Sequence, residues 1–167
     1  LLAGALGVVA AAGAAAQEVV LKVHHFWPPI AMGPKNHLEP WCAKIQQESN
    51  NRMRCQIFPA MQLGGTPAQL IDQVRDGVAD IVWTLPGYTA GRFPVMEVFE
   101  LPFMTQTAEA ASRAAWRYYE KHATREFAGV KPLAFHVHDQ GYVHTRERQI
   151  RTLADFQGLK MRAPTRQ

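Results

Sequence analysis

"GGTPAQLIDQVRDG" (64–77) runs almost directly into "ADIVWTL" (79–85), and these two stretches decide the fold class. Thr66 has the character of an N-cap, Pro67 of a first helical residue, and Gln69 completes a capping box. Leu70, Ile71 and Val74 then face inward and Gly77 closes the helix. The second stretch is a continuous apolar run bounded by a glycine and a proline, as expected of a parallel strand covered on both faces.

Outward from this join, the element types keep alternating. "EVVLKVHHF" (18–26) reads as a strand and "WPPIAMGP" (27–34) as a loop. Leu38, Trp41, Cys42 and Ile45 recur at helical spacing, with Pro40 tolerable only in a first turn. "RMRCQIF" (52–58) is a second strand. Downstream, "VFELPFM" (98–104) is expected to be extended and residues 107–127 to form an Ala-rich helix from Thr107. "PLAFHVHD" (132–139), "GYVHT" (141–145) and "LKMRA" (159–163) are expected strands, with "LADF" (153–156) a helical turn. The order predicts an α/β protein with a mostly parallel sheet flanked by helices. Ligands of such sheets bind beyond the carboxyl ends of the strands. "HHFWPP", "LPGYTAGRF" and "HVHDQGYVH" all arrive there.

The first 16 residues carry no charge and end in Ala14-Ala15-Ala16, the pattern of a secretory signal peptide remnant with cleavage after Ala16. The remaining residues 17–167 carry the whole net charge of +4 and suffice for one core. Basic residues are scattered among acids, which disfavours nucleic acid as a partner. Cys42 falls on the apolar helix face and Cys55 in the next strand. In an exported chain a bridge stapling helix to sheet is expected, against the alternative of two buried free thiols.

No assembled catalytic constellation is present. His136 and His138 form an HxH on an expected strand, with Asp139 beside them and His24 and His25 elsewhere. An exported zinc-dependent hydrolase using His136 and His138, with His24 in support, is the alternative this leaves open. Ser49 and Ser112 sit in helical contexts and no GxSxG elbow occurs. "LGGTP" lacks the remaining glycines and the lysine of a phosphate loop. No cofactor is implied. Aromatic and bidentate-donor side chains instead gather at expected strand ends: Phe26, Trp27, Trp83, Tyr88, Phe103, Tyr142 and Arg162. Such residues line concave ligand sites.

"FPAMQLGGTPAQLIDQVRDGVADIVWTLPGYTAGRFP" (58–94), "VFELPFM" and "IRTLADFQGLKMRAP" (150–164) together resemble the periplasmic solute-binding proteins of TRAP transporters, the DctP family. The likeness runs from about Val19 to the end. It implies a periplasmic-binding-protein-like fold of two lobes. Residues 17–167 would be the N-terminal lobe with the start of the cross-over, and the second lobe would be largely missing from this chain. A chain of this extent is expected to bind ligand weakly. The resemblance further implies a monomeric, non-catalytic protein of the periplasm that captures a small organic acid and delivers it to TRAP membrane permease subunits. An ABC-type binding protein shares the capture role with a different partner.

By the same resemblance the arginine of "GLKMRAP", Arg162, clamps the ligand carboxylate. Arginine offers paired donors to a carboxylate's two oxygens, where Lys160 offers a point charge. Sialic-acid binders carry a second arginine where this chain reads "GYVHT", which points to a smaller aromatic or aliphatic acid. Tyr142 and His144 would hydrogen-bond it, with Tyr88, Trp83, His25 and Phe26 as the remaining expected ligand contacts.

Overall fold

The computed structural model describes residues 18–101, 103–104, 106–139 and 141–162. The proposed signal segment, 1–16, lies outside them. Three parallel strands form the sheet: β1 (Val19–His25), β2 (Met53–Phe58) and β3 (Ile81–Trp83), in the order β2-β1-β3. Val19 pairs with Met53 through to His24 with Phe58, and Val23, His24 and His25 pair with Ile81, Val82 and Trp83. The crossover through α1 (Glu39–Glu48) leads to one side of β1, and that through α2 (Leu70–Arg75) leads back to the other. This reversal places a crevice between the carboxyl ends of β1 and β3.

Alternation along β1 divides its neighbours. Leu21 pairs with Cys55, whose disulfide to Cys42 ties α1 to that face; the Cα atoms are 5.6 Å apart. The expected staple is therefore present. His24 faces the opposite side, toward α2. Its Nδ1 lies 2.8 Å from Gln73 Oε1, and its Nε2 accepts a long hydrogen bond from the Leu63 amide at 3.4 Å. This requires a neutral ring with the proton on Nδ1. Gln73 Nε2 donates in turn to the Gly64 carbonyl at 3.0 Å. One glutamine thus joins strand, turn and helix. Gly65, at φ +80°, passes so close that a Cβ there would lie 2.8 Å from Gln73 Nε2. The glycines of "QLGG" serve this turn, and Thr66 and Gln69 satisfy the helix start with the expected capping box.

His24 and His25 are both wholly buried, and burial lowers the pKa of each; the neighbouring His24 lowers His25 further. Unfolded histidines regain a pKa near 6.5, so below that pH the unfolded chain binds more protons than the folded one. Stability should therefore fall as pH drops from about 7 to 5. Thermal unfolding midpoints that stay flat or rise over that interval would contradict the assignment.

A second layer builds on α3 (Ala108–Tyr118), capped by Thr107, whose hydroxyl accepts from the Ala110 amide. Phe93, Met96, Ala115, Ala123 and Phe127 form its core, against which Ile71 of α2 packs. Phe93 stacks on Phe127 with centroids 4.6 Å apart. The expected single helix over 107–127 is instead α3, a π-type turn over Tyr119–Ala123 and a 3-10 turn over Thr124–Phe127. The change of path swings Phe127 onto Phe93 and lets the Glu126 carboxylate accept from the Val95 and Met96 amides. Those bonds hold Met96–Glu100 as a 3-10 turn, replacing the extended segment expected from residue 98.

The expected strands at 132–139, 141–145 and 159–163 form no ladder among the described residues. Residues 132–139 nonetheless keep a strand's two-sidedness. Phe135 and Val137 pack on the α3 core, while His136 reaches the other way to Trp83. The Val137 amide donates to Ser112 Oγ at 2.8 Å, so a helix side chain satisfies a group that a neighbouring strand would otherwise take. Ser112 is thus a structural hydroxyl.

Candidate ligand site at the β1 and β3 strand ends

β1 leaves the sheet through Phe26 and Trp27, and β3 through Trp83 and the 3-10 turn Pro86–Thr89. Their rings form a continuous run across the crevice. Phe26 stacks on Trp27 at 4.8 Å and meets Tyr88 edge-on at 5.3 Å, and Trp27 lies 6.1 Å from Trp83. Backbone bonds set the first loop: the amides of Ala60 and Met61 donate to the carbonyls of Trp27 and His25. Gly33 lets the next segment close on the indole of Trp83, since a Cβ there would stand 3.0 Å from the ring. Tyr88 is fixed by the turn beneath it. The Gly87 amide donates to Glu100 Oε1 at 2.8 Å, and any Cβ on Gly87 would collide with that carboxylate at 2.1 Å.

The third segment joins through His136. Trp83 Nε1 donates to His136 Nε2 at 2.8 Å, and the two rings meet edge-on at 5.2 Å. His136 is exposed as a residue, but partial desolvation of its ring, then the nearby His37 and His138, lower its pKa. Of the third segment expected at the strand ends, His136 thus reaches the other two. The ring nitrogens of His25 and Nε1 of Trp27 are buried with no hydrogen-bond partner among the described residues. Orphaned polar atoms of this kind are rare in folded proteins.

Of the expected ligand residues, Phe26, Trp83 and Tyr88 come together, and His25 is sealed beneath them with no exposed surface. Tyr142, His144 and Arg162 lie exposed on segments without regular secondary structure, and no ring contact, hydrogen bond or ion pair joins them to the aromatic run among the described residues. Phe103 stands apart, 99% exposed. The His136–Trp83 bond is the site contact that the sequence did not reveal; 53 residues separate the partners.

The donors of a metal reading disperse. His24 is committed to Gln73 and Leu63, His136 to Trp83, and His138 to the Asp139 carbonyl. Asp139 caps α3 through the Ala108 amide. No three His, Cys, Asp or Glu side chains gather in a metal-binding set among the described residues.

Comparison with known proteins gives concordant results. The model of the bacterial extracellular solute-binding protein family 7, DctP, matches residues 25–167. A TRAP solute-binding protein of Rhodoferax ferrireducens, crystallised with copurified benzoate, is 54% identical with a TM-score of 0.84, over 88% of this chain and 46% of that one. A marine metagenome TRAP solute-binding protein specific for aromatic acids, in complex with 3-hydroxybenzoate, is 51% identical with a TM-score of 0.86, over 90% and 47%. An outer membrane transporter protein of Comamonas testosteroni is 28% identical over 89% of this chain and 44% of its own length. The chain thus spans less than half the length of these relatives.

Proposed function

The chain belongs to the DctP family of bacterial extracellular solute-binding proteins, and from that membership we propose that it is the N-terminal lobe, residues 17–167, of a monomeric periplasmic protein that captures an aromatic carboxylic acid for TRAP permease subunits. Residues 1–16 act as its export signal. Capture involves no chemistry on the ligand: the aromatic run supplies an apolar wall, and Arg162 supplies the clamp for the acid group. The observation that carries this reading is the convergence of Phe26, Trp27, Trp83 and Tyr88 at the β1/β3 crevice. A ring-shaped acid offers both the flat face these side chains stack on and the anion a guanidinium grips. The benzoate and 3-hydroxybenzoate held by two similar proteins support the same class of ligand.

The test is a thermal-shift titration on a protein carrying this sequence at the relatives' full length. At a hundredfold excess over Kd, ligand adds about 2.7 kcal/mol to stability, or a Tm rise of roughly 5–10 °C for a domain of about 150–250 residues. Benzoate and 3-hydroxybenzoate should produce such a shift and D-glucose none. Indifference to every aromatic and aliphatic acid tried would end the proposal.

A further inference from the structure

We propose that His136 is a positioning residue that latches Trp83 into the ligand site and releases it on acidification, so that ligand capture weakens as the pH falls. The inference rests on the capture reading above and goes beyond it.

The argument starts from the indole. Trp83 ends β3, pairs with His25 across the sheet, and packs against Gly33 on one side and Trp27 on another. Packing alone leaves a ring free to slide in its plane, and the only polar handle of Trp83 is its Nε1–H. That group donates to His136 Nε2 at 2.8 Å. Indole can only donate, so the imidazole nitrogen must be bare and the ring proton must sit on Nδ1. A proton added to His136 would place a second N–H against the first. The bond is then lost and two donors oppose each other.

The surroundings set the direction. His37, from the turn Pro34–Leu38, and His138, on the same extended segment, are the titratable groups acting on His136, and both disfavour its cationic form. From β3 it meets Trp83, which does not titrate, and no carboxylate pairs with it among the described residues. The Phe135 and Val137 side chains flanking it are anchored in the α3 core, so the backbone cannot follow the ring as it turns away. The neutral ring is therefore the resting state at neutral pH, and acid below about 6.5 is needed to charge it.

Three proteins, each at the relatives' full length, decide the matter by calorimetric titration with benzoate between about pH 7.5 and 5.5: the parent, His136→Gln and Trp83→Phe. The carboxamide oxygen of Gln can still accept from the indole but does not titrate, and Phe keeps a ring without an N–H. The parent should lose affinity severalfold on acidification, approaching about tenfold per pH unit once the group titrates. His136→Gln should bind close to the parent at pH 7.5 and Trp83→Phe more weakly, both with a nearly flat profile. An equal acid step in the parent and both variants, or a flat parent profile, overturns the latch while leaving acid capture intact. Failure of the parent to bind benzoate at pH 7.5 would count against capture itself. The latch is then read without ligand, as an acid-dependent change in tryptophan emission. It stands if that change is present in the parent and absent from His136→Gln and Trp83→Phe, and falls if it is unaltered in them.

Discussion

Arg162→Ala, made at the relatives' full length, should raise the Kd for benzoate by about a hundredfold or more. A guanidinium donates two parallel charged hydrogen bonds to one carboxylate, each worth about 1.5–3 kcal/mol. At about 1.4 kcal/mol per factor of ten, losing both exceeds a hundredfold. Arg162→Lys should recover little, because a single ammonium cannot match two oxygens at once. The variants should keep the parent's unfolding midpoint: Arg162 is exposed and has neither a hydrogen bond nor an ion pair among the described residues, so the fold does not lean on it. Isothermal calorimetry showing either variant within about threefold of the parent would remove Arg162 from the site.

Replacing Cys42 and Cys55 together by alanine should cost about 3 kcal/mol of stability, the loop-closure estimate for a cross-link spanning 13 residues. The bridge joins α1 to β2 where Cys42 is buried and Cys55 stands opposite Leu21 of β1. Two small cavities add to the loss. In denaturant unfolding the reduced parent should be destabilised by about 3 kcal/mol relative to the oxidised parent, and the double variant by somewhat more. If the oxidised parent unfolds at the same denaturant concentration as the double variant, the bridge adds nothing.

Both predictions draw on what the sequence made legible. The α2 start was readable because its signals are local: a capping box, a proline at the first helical position and glycines at the turn. The three strands of the sheet were readable from alternation and apolar runs. The later strands were not, because alternation reports only which side a residue faces. Phe135, His136 and Val137 do alternate, yet no ladder forms, and the Val137 amide turns to Ser112. The end of α3 also depended on remote partners, the Phe93 ring and the Val95 and Met96 amides. Within the site, the aromatic wall was visible because topology sends every strand end to one edge. Nothing local marks Trp83 and His136 as partners, nor explains why Gly87 must lack a Cβ above Glu100.

The side chain of Gln73 limits how this part of the chain can move. Because it bonds at once to His24 in β1 and to Gly64 in the turn, the strand, turn and helix beneath the crevice are clamped into one rigid body. Any closure of the full-length protein around a ligand would then have to be absorbed by hinges elsewhere in the chain. In hydrogen–deuterium exchange the Leu63 amide, although in a loop, should behave like an amide of the sheet.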